Sequence, residues 1–249
     1  MEEKCMSERV QVLGVEVDKL GVNRAVNIAR TYLKNVNLNI IYFVSKNSAV
    51  YAQDHEEFAQ FVSQADMVMP ADKDMQEVVF TTSFDRRVKS LVSQFLVRFF
   101  SGLNHDKKSV YVLGTANQVE AYEAYIKENY PEVIYHSGVV TFEEEMDIEL
   151  LINNINAEAP DVLFLITGEV KQVELLKQIK PMLNAKLCVC MGDVLDDFIF
   201  LLKDRNTFME KLQFFSKCKG LFSKQMIHNK IIDRIFKNRI RKSNQGKEN

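Results

Sequence analysis

From Val10 to Met191, short apolar runs alternate with segments whose apolar residues recur every three or four positions. Ile40 to Val44, Ala65 to Pro70, Ser109 to Gly114, Val133 to Tyr135, Asp161 to Thr167 and Lys186 to Met191 read as strands. Most are apolar along their whole length rather than at every second residue, the pattern of strands covered on both faces. Between them lie helical patterns, marked by Ala25, Ile28, Ala29 and Tyr32, then Phe58, Phe61 and Val62, then Val88, Leu91, Val92, Phe95, Leu96 and Phe99. A further helix runs from about Gln118 to Asn129 and stops at Pro131; another, through Ile148, Leu151, Ile152 and Ile155, ends before Pro160; a last one spans Val173 to Ile179. Val10 to Val17 reads as one alternating strand. The expected fold is α/β: a mainly parallel, Rossmann-like sheet with helices on both faces.

A chain of 249 residues, 47% hydrophobic, can bury one full core. No apolar run approaches the ~20 residues of a membrane-spanning helix, and the start, Met1-Glu2-Glu3-Lys4-Cys5, lacks the pattern of a secretory signal. Cys188 and Cys190 alternate in a strand, so they share one face as reduced core residues. These features set the expectation of a cytoplasmic protein. The net charge of −2 hides an asymmetry. Beyond Leu202 the basic residues from Lys203 to Lys247 face only Asp204, Glu210, Asp233 and Glu248. The expected organisation is an α/β body over 1–204, a basic helical C-terminal appendage over 205–242 and a disordered tail over 243–249. In the appendage Leu221, Phe222, Met226, Ile227, Ile231, Ile232, Ile235 and Phe236 interleave with Lys224, Lys230, Arg234, Lys237, Arg239 and Arg241. A basic amphipathic helix of this kind suits an anionic bilayer surface, and equally suits packing on the body with a solvated basic face. Nucleic acid is not an expected partner, since stacking aromatics and a reader motif are lacking.

Parallel strands deliver their carboxyl ends to one edge of the sheet, where open α/β folds build sites. Two turns there carry polar residues, Ser45-Lys46-Asn47 and Pro70-Ala71-Asp72-Lys73-Asp74. Ser45 and Asn47 fit ligand hydroxyls or a capped turn. Asp72 and Asp74 fit a cation chelate or the acidic start of a helix. Gly114 and Gly168 close strands and permit backbone to approach a ligand. Lys171 and Gln172 follow the second of them.

Several segments, in order, resemble the WecB/TagA/CpsF family of bacterial glycosyltransferases. Leu13-Gly14-Val15-Glu16-Val17-Asp18 is similar to its opening LGV-x-V-D strand, and Ala65-Asp66-Met67-Val68-Met69-Pro70 to its AD-x-V-x-P strand. Val110 to Gly114, Asn154 through Leu163, and Gly168 with Lys171-Gln172 resemble its later strands and its G-x-P-K-Q-E turn. Ser45-x-Asn47 resembles the Thr-x-Asn after the first of the paired strands. The family's Pro-Asp-Gly reads here Pro70-Ala71-Asp72, with Ala71 at the position of the catalytic aspartate.

The resemblance implies a cytosolic-face enzyme that transfers an N-acetylhexosamine from a UDP-sugar to a lipid-linked acceptor for a cell-wall or capsular polymer. It implies inversion, no metal and no cofactor. On this reading Ser45, Asn47, Gly114, Gly168, Lys171 and Gln172 bind the donor, and Asp72 is the remaining carboxylate for a general base. Arg234, Arg239 and Arg241 are the appendage arginines for the donor diphosphate and the membrane surface. The alternative is a family member that binds a nucleotide sugar or partner protein without catalysis, favoured by Ala71. The residues leave the donor sugar and a homo-oligomer open.

Overall fold

The computed structural model describes residues 7–81, 91–141, 146–192 and 231–245. It forms the expected α/β fold, with six parallel strands in the order β4-β3-β8-β7-β5-β6. These are β3 (Asn39–Val44), β4 (Met67–Pro70), β5 (Ser109–Gly114), β6 (Ile134–Val139), β7 (Val162–Leu165) and β8 (Leu187–Cys190). The helices are α1 (Val22–Tyr32), α2 (Lys46–Asp54), α3 (Glu56–Ser63), α4 (Lys73–Phe80), α5 (Leu91–His105), α6 (Ala116–Asn129), α7 (Ile148–Glu158) and α8 (Glu169–Ile179), with α9 over 231–245. The appendage residues Leu221, Phe222, Lys224, Met226, Ile227 and Lys230, and Val88 before α5, lie outside the described residues.

Strand alternation sorts the core into two layers. Tyr42, Val44, Leu163, Leu165, Cys188 and Cys190 face α2, α3, α7 and α8. Ile41, Phe43, Val110, Val112, Phe164 and Val189 face α1, α5 and α6. In the second layer Phe100 stacks on Phe164 with centroids 5.0 Å apart. Cys188 and Cys190 are both buried with sulfurs 4.0 Å apart, reduced core residues as their spacing implies.

The segment expected as one strand at Val10–Val17 is a hairpin of β1 (Arg9–Val12) and β2 (Val15–Asp18). Leu13 and Gly14 take φ of 49° and 91°, the pair of positive values that a two-residue hairpin turn needs. The hairpin covers the free side of β4. Buried Asp18 accepts the Val68 N–H at 2.7 Å and the Arg9 Nε at 3.0 Å, while Arg9 also reaches the carbonyls of Ser63 and Ala65. An otherwise unpaired sheet edge is closed in this way.

Crossover directions fix where a ligand fits. From β5 the chain passes through α6 to the outer strand β6, whereas from β7 it passes through α8 back toward β8. Neighbours β5 and β7 therefore send their helices to opposite faces, leaving a crevice at their carboxyl ends.

Candidate functional site

At the carboxyl end of β3, Ser45 caps α2, its hydroxyl accepting from the N–H groups of Asn47 (3.0 Å) and Ser48 (3.2 Å). Ser45-Lys46-Asn47 is thus a helix start rather than the turn its polarity implied. Asn47 sits in the first turn with its Oδ1 buried and unpartnered, as is the hydroxyl of Ser48.

At the end of the adjacent β4, the Ala71 N–H bonds the Val44 carbonyl at 2.8 Å. The Ala71 methyl is buried in the α1/α5 layer. Asp72 caps α4 with Oδ1 accepting from Met75 N at 2.9 Å, and its Oδ2 accepts from Lys46 N at 2.7 Å. Burial, the largest influence, pushes the Asp72 carboxyl above its usual range, and the two backbone N–H groups oppose the rise. The carboxylate left by the displaced motif therefore holds two helix starts together. Asp74 is 2.7 Å from the Lys46 ammonium, which also pairs with Asp233 of α9. Burial disfavours the Lys46 charge, but hydrogen bonds to Asp233 and Asp74 outweigh it and hold the ammonium protonated far above the lysine range. Among the described residues no group of three or more His, Cys, Asp or Glu side chains is placed to share a metal ion.

Arg239 donates to the Val50 carbonyl at 3.0 Å and to Asp54 at 2.9 Å. Asp233 meets the start of α2 and Arg239 its end, so α9 runs beside α2 in the same direction. Phe236 is buried against the body, with Ile232, Ile235 and Ile240 packed around it. The apolar face of α9 from Ile232 to Ile240 is thus packed on the body, and Arg239 acts in docking. Arg234, Lys237 and Arg241 form an exposed basic stripe on the opposite face.

The far side of the edge is built by β7, β8 and β5. Gln172 is fully buried in the first turn of α8, its Oε1 accepting from Gly192 N at 3.1 Å. That bond ties α8 to the residues after β8, which lies between β7 and β3. Asn47 thus follows β3 and Gln172 follows β7, the two strands on either side of β8. Lys171 is exposed beside Gln172. Gly168 caps α8, and a side chain there would meet nothing within 4 Å. Gly114 is different. A Cβ at that position would lie 2.5 Å from Ile166 Cγ1, so this glycine is needed for strand packing.

The sequence-derived residues at the strand ends, Ser45, Asn47, Asp72, Gly168, Lys171 and Gln172, all lie along one sheet edge. Three others escaped sequence reading: Ser48, Gln76 and Thr167 are each buried, with Ser48 Oγ, Gln76 Nε2 and Thr167 Oγ1 unpartnered. Their signal was a polar residue in the buried phase of an apolar pattern. Buried polar atoms without partners are uncommon in folded proteins, and a set of them at one sheet edge points to ligand groups that complete it.

The aspartates of the other motifs lie elsewhere. Asp66 accepts from Ile40 N at 2.7 Å. Asp161 accepts from Ser109 N at 3.2 Å and from Lys186 Nζ at 2.6 Å. Both stitch strand starts at the amino edge.

The model of the glycosyl transferase WecG/TagA/CpsF family matches residues 10–213. An N-acetylglucosaminyldiphosphoundecaprenol N-acetyl-beta-D-mannosaminyltransferase of Staphylococcus aureus MRSA252 is 23% identical over 205 residues, covering 80% of this chain and 78% of that protein. Its counterpart in strain NCTC 8325 is 22% identical with the same coverage. With the family match running from the β1–β2 hairpin past β8, the chain belongs to the glycosyl transferase WecG/TagA/CpsF family.

Proposed function

We propose that the carboxyl edge holds a UDP-linked N-acetylhexosamine and that the protein transfers this sugar to a lipid-linked, diphosphate-bearing acceptor in cell-wall or capsular polymer synthesis. The observation that carries the reading is the pair of buried unpartnered atoms, Asn47 Oδ1 and Gln172 Nε2, on either side of the β8 end. An acceptor and a donor suit the hydroxyls and amide of an N-acetylated sugar. The acceptor class follows the S. aureus relatives, whose names specify a diphosphoundecaprenol-linked sugar. No described helix is long and apolar enough to cross a membrane, so the exposed stripe of Arg234, Lys237 and Arg241 supports peripheral attachment. Each such residue near an anionic surface contributes about 1 kcal/mol.

A second reading, sugar-nucleotide binding without transfer, is favoured by Ala71. Transfer needs a base for the acceptor hydroxyl, position 71 offers a buried methyl, and both Asp72 oxygens already accept backbone N–H groups. One assay separates the two: turnover of UDP-N-acetylmannosamine and UDP-N-acetylglucosamine with a lipid-diphosphate N-acetylglucosamine acceptor in acidic vesicles. Transfer by the wild type, lost in Asp72→Asn with donor affinity kept, makes Asp72 the base. Donor binding with no transfer establishes the second reading. In either case, replacing Arg234, Lys237 and Arg241 with Glu lowers vesicle binding at low salt; unchanged binding removes the membrane role.

A further inference from the structure

The six-stranded sheet has two edges, and the molecule treats them differently. At β4 the β1–β2 hairpin covers the edge, with Asp18 accepting from the Val68 N–H. At the other end β6 pairs only with β5. The Ile134 N–H donates to the Lys108 carbonyl at 3.1 Å, and the Val140 N–H donates to the Gly114 carbonyl at 2.9 Å. In that phase the even-numbered residues turn their backbone groups toward β5, whereas Tyr135, Ser137 and Val139 turn theirs outward. No described strand pairs with that outer side.

An open edge is ordinarily protected by a lysine, a proline or an inward-pointing charge. The strand Ile134-Tyr135-His136-Ser137-Gly138-Val139 contains no Lys, Arg, Asp, Glu or Pro, in a chain that is 27% charged. His136 is engaged by Glu158 of α7, 2.9 Å away. Ile134 and Val139 are left 53% and 55% exposed. They stand at opposite ends of the strand and, by alternation, on opposite faces of the sheet.

We infer that β6 is the docking surface for a second copy of this chain, the two strands pairing antiparallel about a two-fold axis at Ser137. That register alone pairs all three outward residues among themselves: Ser137 meets its own counterpart, and Tyr135 meets the second copy's Val139. Residues opposite each other in an antiparallel pair share a face. Exposed Val139 therefore covers Tyr135, whose hydroxyl donates to the Val119 carbonyl of α6 at 3.3 Å. On the other face exposed Ile134 meets Val140, which is buried in the layer with α7. The strand is thus complementary to itself in hydrogen bonding and in apolar contact, and it brings no like charges together. A shift of two residues leaves outward groups unpaired and separates Val139 from Tyr135. The paired strands run in opposite directions, so the two carboxyl edges face away from each other, and the candidate site stays open in both copies. A single strand pair is marginal by itself, so the dimer is of the weak class, with a dissociation constant on the order of micromolar.

Sedimentation velocity of the full-length protein from about 1 to about 100 μM, a range that spans such a constant, tests this. The wild type passes from monomer to dimer across the range. Ser137→Lys and Ser137→Glu each set like charges opposite one another at the axis, and each raises the midpoint concentration about tenfold or more. Mixing the two variants sets opposite charges there and restores the dimer, a recovery that only pairing of position 137 with itself produces. Ser137 is exposed, so both variants melt with the wild type. The inference is overturned if the wild type stays monomeric throughout, if neither substitution weakens the dimer, or if the mixture fails to recover it.

Discussion

Asp72 and Asp161 are both aspartates beside the start of an element, yet their surroundings drive them in opposite directions. At Asp72 burial dominates and raises the carboxyl pKa. At Asp161 burial also acts upward, but Lys186, the Ser109 N–H and Lys108 together lower it. A carboxyl with a folded pKa below its unfolded value of about 4 contributes stability that is present above that value and is lost as pH falls through the folded one. For Asp72 the sign reverses, and its ionisation removes stability as pH rises from about 4 through its folded value. Asp161→Asn should therefore lower stability at neutral pH by roughly 1–2 kcal/mol, the scale of hydrogen bonds to a charged group, with the difference disappearing at strongly acid pH. Thermal melts of both proteins across pH 2 to 8 check this; a pH-independent difference would assign Asp161 a packing role only. The two residues also show why motif reading misleads at this scale. Sequence similarity marks Asp66 and Asp161 as strongly as Asn47, yet both aspartates stitch strand starts at the amino edge, away from the candidate site.

At the scale of elements, the strands were legible because burial on both faces writes continuous apolar runs such as Val162–Leu165. Helix starts were harder. The apolar pattern placed the last helix over Val173 to Ile179, whereas α8 begins one turn earlier, at Glu169. The break between α2 and α3 falls at His55, with φ −137° and ψ 87° and no glycine or proline to announce it. The hairpin at Leu13-Gly14 was hidden because apolar residues alternate on both sides of the two-residue turn, and the shift of phase from Val12 to Val15 is its only trace. The appendage suited either a bilayer surface or packing on the body, and α9 packs its apolar face on the body while presenting a basic one. Its docking depends on two polar clamps on α2, Lys46 with Asp233 and Arg239 with Val50 and Asp54. Arg239→Ala should free the end of α9, raising amide exchange in residues 236–245 severalfold while the sheet amides stay protected. Lys46→Met removes the partner of two half-buried carboxylates, and should loosen residues 231–236 in the same way. Exchange unchanged in both variants would mean that apolar packing alone fixes the helix.

Across the whole molecule, strand order decides what the residues can do together. Sequence places Ser45, Asn47 and Pro70 near one another, since β3 and β4 are consecutive. It does not reveal that β8, the last strand, inserts between β3 and β7. That insertion brings the residues after β8 to the Gln172 amide, which accepts from the Gly192 N–H. The C-terminal charge asymmetry was legible from composition alone, and on α9 it becomes a stripe on the face away from the body. The decisive measurement is hydrogen exchange on the full chain with and without a saturating UDP-N-acetylhexosamine. Exchange should slow in the first turns of α2, at Asn47 and Ser48, and of α8, from residue 169 to 172, with no change around Asp66 and Asp161. Ligand-induced protection confined to the amino edge, or none at either helix start, would contradict the proposed site.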